Sequence, residues 1–391
     1  MASNGSGEIR CDCSMAELWP HRVSACGLRR AARTLETASQ QAEEMAVEAL
    51  RGLDSAAVQA SQQLEVMSSA MAQQVREQAN AVLYLRPSWN TSYASAMGVM
   101  RTASHSLPAD VKTLRMTTDH EIPRWLPTLP RGVTSSVSAV PPGEWCHLDH
   151  VSLTDLSSLA SIHDSKLILY IHGGGFCMCN TATHRGFLYR LVKVTGAIVF
   201  AVEYRRPPEH PYPAPVDDCV QAYTHLLEHI EPSRVYFAGD SAGACLAVSA
   251  ILSADEMGLP RPAGAVLLSP WVDLGDTSSD SWMRNASYDF VRPDLANYCA
   301  ELYKGKASWE EVSPSLFSEE ALARLPPLLI EYGECEVFFD QISIFAGKCS
   351  SVGVKVDLNV REGNVSHHRF KYSLFLQQIW RTDFPYFHSQ D

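Results

Sequence analysis

Two short motifs decide the fold: His-Gly-Gly-Gly-Phe at residues 172–176 and Gly-Asp-Ser-Ala-Gly at residues 239–243. The second motif has the form of a G-x-S-x-G nucleophile elbow, with the apolar run 235–238 before it and the helix-compatible stretch 242–252 after it. On such a strand-to-helix turn the serine hydroxyl is exposed, and flanking glycines let the backbone turn without a Cβ clash. The pattern therefore predicts Ser241 as a catalytic nucleophile.

The glycine-rich motif follows a second apolar run, residues 167–171, and its backbone N–H groups can point at a developing oxyanion. We predict that the N–H groups of Gly173 and Gly174, with that of Ala242 directly after the nucleophile, form an oxyanion hole. His172 is interpreted as a residue that orients the loop rather than as a base. Two such motifs in this order, each after a strand, indicate a serine hydrolase that performs acyl transfer.

From about residue 166 to residue 370 the chain resembles the hormone-sensitive-lipase-like family of α/β hydrolases. The resemblance rests on motifs that occur in the family's order. They are residues 172–176, residues 203–218, which are similar to the family's Tyr-Arg-x-x-Pro-Glu-x-x-x-Pro-Ala, residues 239–243, residues 269–274, and residues 313–314 with 325–330. The resemblance implies an α/β-hydrolase fold, with a mostly parallel central sheet, helices on both faces and a helical cap. It also implies a serine carboxylic-ester hydrolase that acts on small to medium acyl esters through a Ser-His-acid triad and a covalent acyl-enzyme.

The triad acid is expected after a late strand of the sheet, because the chain order in α/β hydrolases is serine, acid, histidine. The apolar run 327–333 is such a strand, and Glu334, Glu336 and Asp340 follow it. The family's Gly-x-x-Asp pattern maps onto Gly333 and Glu336, with glutamate in place of aspartate. We therefore predict Glu336 as the acid.

The triad base is expected near the carboxyl end of the chain, where two histidines are adjacent. His367 and His368 follow the strand-like run 354–360 and the turn 362–364. The family's His-x-Phe matches His368 and Phe370. We predict His368 as the base, and His367 stays open as the alternative.

The charge and composition argue against several kinds of partner. With 32 Lys and Arg against 44 Asp and Glu, the net charge is −12, whereas nucleic-acid binding needs clustered basic residues. The pairs Cys11/Cys13 and Cys177/Cys179 lack a second ligand pair at the spacing of a zinc site. We predict a small-molecule ester substrate, no nucleic acid, no metal and no cofactor, and the oligomeric state stays open.

The cysteines and the amino-terminal residues suggest a compartment. The eleven cysteines are irregularly spaced, and several, such as Cys245, fall where burial is expected, so they indicate a reducing environment. The first residues contain no apolar run long enough for a signal peptide or a membrane span. Arginines among serines and alanines would suit a transit peptide, but acidic residues count against one. We expect a cytoplasmic protein without a transmembrane segment.

Composition divides the chain into four parts. They are a leader at 1–30 expected to be disordered, a helical extension at 31–85, a Pro-, Ser- and Thr-rich connecting region at 86–165, and a catalytic domain at 166–391 with a cap insertion at about 275–312. Strands are predicted at 167–171, 197–203, 235–238, 264–269, 328–332 and 354–360, and helices at 183–195, 214–230, 242–254 and 336–352. This alternation indicates a mostly parallel sheet covered on both faces.

Two other functions fit the same residues. One is an amide or N-acetyl hydrolase with the same triad, because the cap and pocket select the leaving group and not the motifs. The other is a non-catalytic small-molecule receptor on the same fold. Since both the serine and the histidines are present, an ester hydrolase is the favoured interpretation.

Overall fold

The computed structural model describes residues 100–101, 104–121, 131–151, 159 and 166–362. The predicted leader at 1–30, the helical extension at 31–85 and the two candidate bases, His367 and His368, lie outside these residues. The division of the chain into four parts therefore stays a prediction.

The strands of the described residues form one mixed sheet of eight. They are β1 (Val133–Ala139), β2 (Pro142–Leu148), β3 (Leu167–Ile171), β4 (Ile198–Val202), β5 (Val235–Asp240), β6 (Gly264–Leu268), β7 (Leu328–Gly333) and β8 (Val356–Arg361). Their order across the sheet is β1-β2-β4-β3-β5-β6-β7-β8. β1 and β2 pair antiparallel, as do β2 and β4, and all other neighbours are parallel. The predicted α/β class with a mostly parallel sheet is confirmed.

The described residues contain helices between successive parallel strands, an α-helix before β1 and a group of four α-helices between β6 and β7. They are α1 (Val111–Arg115), α2 (Thr181–Thr195), α3 (Ala214–Leu227), α4 (Ala242–Glu256), α5 (Asp280–Asn285), α6 (Pro293–Lys304), α7 (Trp309–Val312), α8 (Glu319–Leu322) and α9 (Phe339–Ser351). A π-helical turn, Met116–Glu121, continues α1. None of the helices in the described part of the chain is long and apolar enough to cross a membrane.

The central strands are mainly apolar, with Asp240 in β5 and Glu331 in β7 as exceptions, as expected for a parallel sheet that is covered on both faces. Every residue of β3, β4, β5 and β7 is buried. The helix ends carry local signals: Asn180 and Thr183 form a capping box at the start of α2, and Gly196 ends that helix with φ 70°. The bounds of α2 are therefore set by its local sequence.

The sheet order brings the motifs to one edge of the sheet. The glycine-rich loop follows β3, the elbow follows β5, and the turn with Glu336 follows β7. β3, β5, β6 and β7 are successive parallel neighbours, so their carboxyl ends lie at the same edge. Residues 275–312, here called the insertion, lie between β6 and β7 and contain α5, α6 and α7.

Candidate active site

Ser241 occupies the strained position of a nucleophile elbow. Its backbone has φ 53° and ψ −119°, a conformation that L-residues rarely adopt and that cannot persist without support. The support is a pair of backbone hydrogen bonds: the Ser241 N–H donates to the Leu268 carbonyl at 2.9 Å, and the Ser241 carbonyl accepts from the Trp271 N–H at 3.2 Å. Both bonds tie the elbow to the end of the neighbouring strand β6. The serine directly precedes α4 and stays 7% exposed.

The glycines on either side of the elbow are required by close backbone approaches. A Cβ added to Gly239 would lie 2.5 Å from the carbonyl oxygen of Gly243. A Cβ added to Gly243 would lie 2.5 Å from the carbonyl oxygen of His172 and would overlap that of Ile171 still more. The Gly243 contact presses the start of α4 against the end of β3, so this glycine sets the distance between the elbow and the glycine-rich loop.

We predict that Gly243→Ala lowers the free energy of unfolding by roughly 1–3 kcal/mol, because two backbone carbonyls must move to admit the methyl group. The matched control is Gly347→Ala on α9, where an added Cβ meets nothing within 4 Å. The free energy of unfolding of that variant should rise by about 0.5–1 kcal/mol, because alanine is favoured over glycine inside a helix. Chemical denaturation measures both changes, and equal stabilities for the two variants would contradict the close-approach argument.

The N–H group of Gly173, one of the predicted oxyanion donors, already has an acceptor in the structure. The N–H of Gly173 donates to Oδ1 of Asp240 at 2.9 Å, so this group is already satisfied and does not point at a substrate. A Cβ on Gly173 would also lie 2.5 Å from Oδ2 of the same aspartate. The role of Gly173 is therefore to admit the Asp240 carboxylate beside the loop, a contact that the sequence motif does not reveal.

The next two glycines of the loop, with Ala242, present free donors. Among the described residues, the N–H groups of Gly174, Gly175 and Ala242 have no hydrogen-bond acceptor. Gly174 has φ 120° and Gly175 has φ 57°, conformations that glycine adopts without steric cost. Ala242 is the first residue of α4, where a helix leaves its N–H groups unsatisfied. The candidate donor set is thus Gly174 and Ala242 as predicted, with Gly175 in place of Gly173.

Buried polar side chains around Asp240 and His172 hold the glycine-rich loop in place. Oδ1 of Asp240 also accepts from the Tyr170 hydroxyl at 2.5 Å and lies 3.3 Å from Nε2 of His184. His172 stacks on Tyr204 with ring centroids 4.3 Å apart. Burial lowers the pKa of His172 to about 4, so its ring is neutral at physiological pH. Its Nδ1 lies 2.9 Å from the carbonyl of Gly173 in its own loop, which suits an orienting residue rather than a base.

Glu336 is a buried carboxylate with one oxygen unused. Its Oε1 accepts from the Ser269 hydroxyl at 2.7 Å and from the Gly333 N–H at 2.6 Å. Its Oε2 is buried and has no hydrogen-bond partner in the described part of the chain. Burial, with the negative charge of Asp289 nearby, raises the pKa of Glu336 well above its ordinary value. A cationic or N–H partner at Oε2 would be needed to keep this carboxylate ionised.

Glu334 and Asp340, the other two candidates for the triad acid, differ from Glu336 in burial and in hydrogen bonding. Glu334 is exposed. Asp340 lies in the first turn of α9, and its carboxylate accepts from the Ser281 N–H at 2.7 Å and from Arg284 at 3.3 Å. The hydrogen bonds of Asp340 are those of a structural residue. Glu336 is the one of the three that is buried with an oxygen still to be satisfied.

β8, the strand that precedes the two candidate bases in the chain, is the parallel neighbour of β7. β8 ends at Arg361, whose carbonyl accepts from the N–H of Glu334 at 3.0 Å. The chain therefore leaves β8 beside the turn that carries Glu336. His367 and His368 follow outside the described residues, so the choice between them stays a prediction.

Comparisons with known proteins point to one family. The family profile described as alpha/beta hydrolase fold matches residues 168–371, about half of the chain. An acetyl-hydrolase of Streptomyces hygroscopicus is 37% identical over 203 residues, which cover 51% of this chain and 67% of that protein. An esterase of Acinetobacter venetianus is 33% identical over 207 residues, 51% of this chain and 66% of that protein. The crystal structure of a hormone-sensitive lipase from a metagenome library has a TM-score of 0.64 at 29% identity, covering 73% of this chain and 95% of that one.

The chain belongs to the alpha/beta hydrolase family. Within it, the similar structures are hormone-sensitive-lipase-like esterases, so both the predicted resemblance and the predicted class of enzyme, an ester-bond hydrolase, are confirmed. The chain spans about two thirds of the length of the two curated relatives described above.

The sequence motifs of this hydrolase did not reveal all the residues that support the site. Ser269 lies in the motif at residues 269–274, which does not indicate a role for it, and its hydroxyl donates to the Glu336 carboxylate. Its φ of 45° aims the side chain across the end of β6, a conformation that nothing in the local sequence signals. Gly175 lies in the same glycine-rich motif, but the sequence does not say which of the three glycine N–H groups are free.

Proposed function

We propose that this protein is a serine carboxylic-ester hydrolase that works through Ser241, His368, Glu336 and a covalent acyl-enzyme. The observation that carries the proposal is the strained elbow conformation of Ser241, beside a loop whose N–H groups of Gly174 and Gly175 have no acceptor among the described residues. Backbone strain at a serine between two required glycines suits a reactive position rather than a structural turn.

In the proposed mechanism, His368 takes the proton of the Ser241 hydroxyl as the oxygen attacks the ester carbonyl. The tetrahedral intermediate collapses, the alcohol leaves with a proton from the histidine, and the acyl group stays on the serine. A water molecule, activated by the same histidine, then releases the carboxylic acid. Oε2 of Glu336, buried without a partner in the described residues, is suited to accept the second imidazole N–H and to stabilise the imidazolium.

The negative charge of the intermediate would be stabilised by the N–H groups of Gly174, Gly175 and Ala242. One such donor contributes on the order of 3 kcal/mol to the transition state, because the site excludes water and the dipoles are already oriented. Gly173 supports this set indirectly, since its bond to Asp240 holds the loop that carries the other two glycines. The proposed oxyanion hole thus draws on the loop after β3 and on the amino terminus of α4.

We propose that the acyl group of the ester substrate is of small to medium size. The support is the name of one relative, the acetyl-hydrolase of Streptomyces hygroscopicus. That name does not say whether the acetyl group is on oxygen or nitrogen, so an amide or N-acetyl hydrolase with the same triad stays the second candidate. A non-catalytic receptor is disfavoured, since the strained serine would have no use in it.

A reducing compartment such as the cytoplasm is proposed for the protein. Six cysteines of the described residues, Cys146, Cys177, Cys219, Cys245, Cys299 and Cys349, are buried and form no disulfide. Buried free thiols suit a protein that is not exposed to an oxidising environment.

The proposal is tested with p-nitrophenyl acetate, butyrate and octanoate, p-nitroacetanilide as the amide, and a fluorophosphonate probe. We expect burst kinetics with the esters, highest kcat/KM for acetate or butyrate, much slower turnover of the amide, and labelling of the peptide that contains Ser241. Preference for the amide would establish the second candidate. No turnover of any substrate and no labelling would overturn the proposal in favour of a receptor.

A further inference from the structure

Side chains from the insertion hold the turn that carries Glu336. Three polar residues of the insertion are buried and bond to the backbone of this turn. They are Ser281, Asn285 and Asp289, which are 0%, 3% and 1% exposed. They are spaced four residues apart, and α5 with the turn that follows it presents all three to the turn that carries Glu336.

Asn285 bonds to the acid residue itself. Its Nδ2 donates to the backbone carbonyl of Glu336 at 2.7 Å and to that of Glu334 at 3.1 Å. A buried amide that donates to two carbonyls two residues apart fixes the path of the backbone between them. The direction in which the Glu336 side chain leaves the backbone therefore depends on Asn285.

The other two residues fix the peptide groups after the acid. The Ser281 hydroxyl donates to the Val337 carbonyl at 2.7 Å, and Oδ2 of Asp289 accepts from the Val337 N–H at 2.9 Å. Both polar groups of Val337 are thus satisfied from the insertion. With Asn285, these contacts define the turn from residue 334 to residue 337 on its side facing α5.

The side chain of Glu336 is anchored on a different side. Ser269 after β6 and the N–H of Gly333 in β7 both hold Oε1. With Oε1 fixed there, the position of Oε2 depends on where the backbone of residue 336 lies. A displacement of the turn by about 1 Å would misalign Oε2 with an imidazole N–H, and misplacements of that size cost on the order of 100-fold in rate.

We propose that Asn285, supported by Ser281 and Asp289, is a positioning residue that aims the Glu336 carboxylate at the histidine base. The inference rests on the proposed function, in which Glu336 is the triad acid. It assigns to the insertion a part in setting the triad, in addition to any part in binding substrate. The same insertion also reaches the glycine-rich loop, since Tyr303 of α6 stacks on Phe176 with ring centroids 3.8 Å apart.

The test is a double-mutant cycle between Asn285→Ala and Glu336→Gln in the full-length protein, with p-nitrophenyl acetate as substrate. If Asn285 acts through Glu336, Asn285→Ala lowers kcat about 10–100-fold in the otherwise unaltered enzyme and leaves KM within about twofold. In the Glu336→Gln background the same substitution changes kcat by less than about twofold, because the carboxylate that it positions is already gone. The matched control is Asn297→Ala, an exposed asparagine of the same insertion, which should change neither constant.

Equal losses of kcat from Asn285→Ala in both backgrounds would overturn the proposal, since the residue would then act on the fold or on another part of the site. Full kcat in the single variant would overturn it as well. Thermal unfolding is followed for every variant. If Asn285→Ala does not fold, Ser281→Ala, which removes a hydroxyl from the same turn, enters the same cycle with the same criteria.

A failure of the proposed function can be distinguished from a failure of the positioning role of Asn285. If the unaltered protein turns over no ester and its Ser241 is not labelled by a fluorophosphonate, the function is wrong before any cycle is measured. If Glu336→Gln retains full activity while Ser241→Ala has none, the ester hydrolase stands, but Asn285 has no triad acid at residue 336 to position.

Discussion

Ser241→Ala should reduce kcat for p-nitrophenyl esters by about 10⁵–10⁶-fold, with the folded protein intact. The expected loss is this large because the hydroxyl is the group that forms the acyl-enzyme, and no described neighbour offers a second nucleophile on the elbow. Alanine should tolerate the local geometry, since the conformation at residue 241 is held by backbone bonds to Leu268 and Trp271 that do not involve the side chain. Steady-state kinetics and thermal unfolding on the same preparation measure the two effects.

The control for this variant is Ser351→Ala, an exposed serine at the end of α9. It should retain the full rate and the full labelling by a fluorophosphonate, whereas Ser241→Ala should lose both. Labelling that persists on another serine of the Ser241→Ala variant would show that the nucleophile is elsewhere, and the mechanism built on the elbow would have to be abandoned.

The central sheet could be predicted because its strands are buried on both faces. Such strands are continuous apolar runs, and the five runs predicted between residues 167 and 332 correspond to β3 to β7 with bounds that differ by at most two residues. The run predicted at 354–360 corresponds to β8, a partly exposed edge strand of mixed sequence. The first two strands were missed. β1 (Val133–Ala139) is rich in serine and largely exposed, as an antiparallel edge strand can be, so its composition looks like that of a loop.

The elbow conformation at Ser241 could be predicted from the sequence for a local reason, whereas the hydrogen bonding of the glycine-rich loop could not. The elbow at residues 239–243 is defined by close contacts among near neighbours, which a motif encodes directly. Which N–H of the glycine-rich loop is free depends on Asp240, a residue 67 positions away in the chain from Gly173. No local pattern indicates that bond, so the sequence alone does not show that the Gly173 N–H has an acceptor.

The contacts that hold Glu336, the proposed triad acid, could not be predicted from the sequence for the same reason. The hydrogen bonds to Glu336 and its turn come from Ser269, Gly333 and Asn285, and two of these three lie on other elements of the fold. Asparagine and serine within a mixed polar stretch look like surface residues. Their burial against the turn after β7 follows from how the insertion packs, and local sequence does not specify this.

Glu336→Gln should lower kcat about 10³–10⁴-fold with little change in KM, because the amide cannot stabilise the imidazolium and favours the wrong tautomer of the base. Asp340→Asn is the matched control: it makes the same chemical change four residues along the chain, in a carboxylate that bonds to Ser281 and Arg284, and should cost less than about tenfold. An equal loss in the two variants would contradict the assignment of the acid.

The base is tested in the same assay. His368→Ala should match Ser241→Ala within an order of magnitude, since the members of a triad act as one unit and their losses are not additive. His367→Ala should retain most of the rate. The reverse result would shift the base by one residue and leave the mechanism unchanged. Full activity in both variants would remove histidine from the mechanism, and the buried Oε2 of Glu336 would then need another partner.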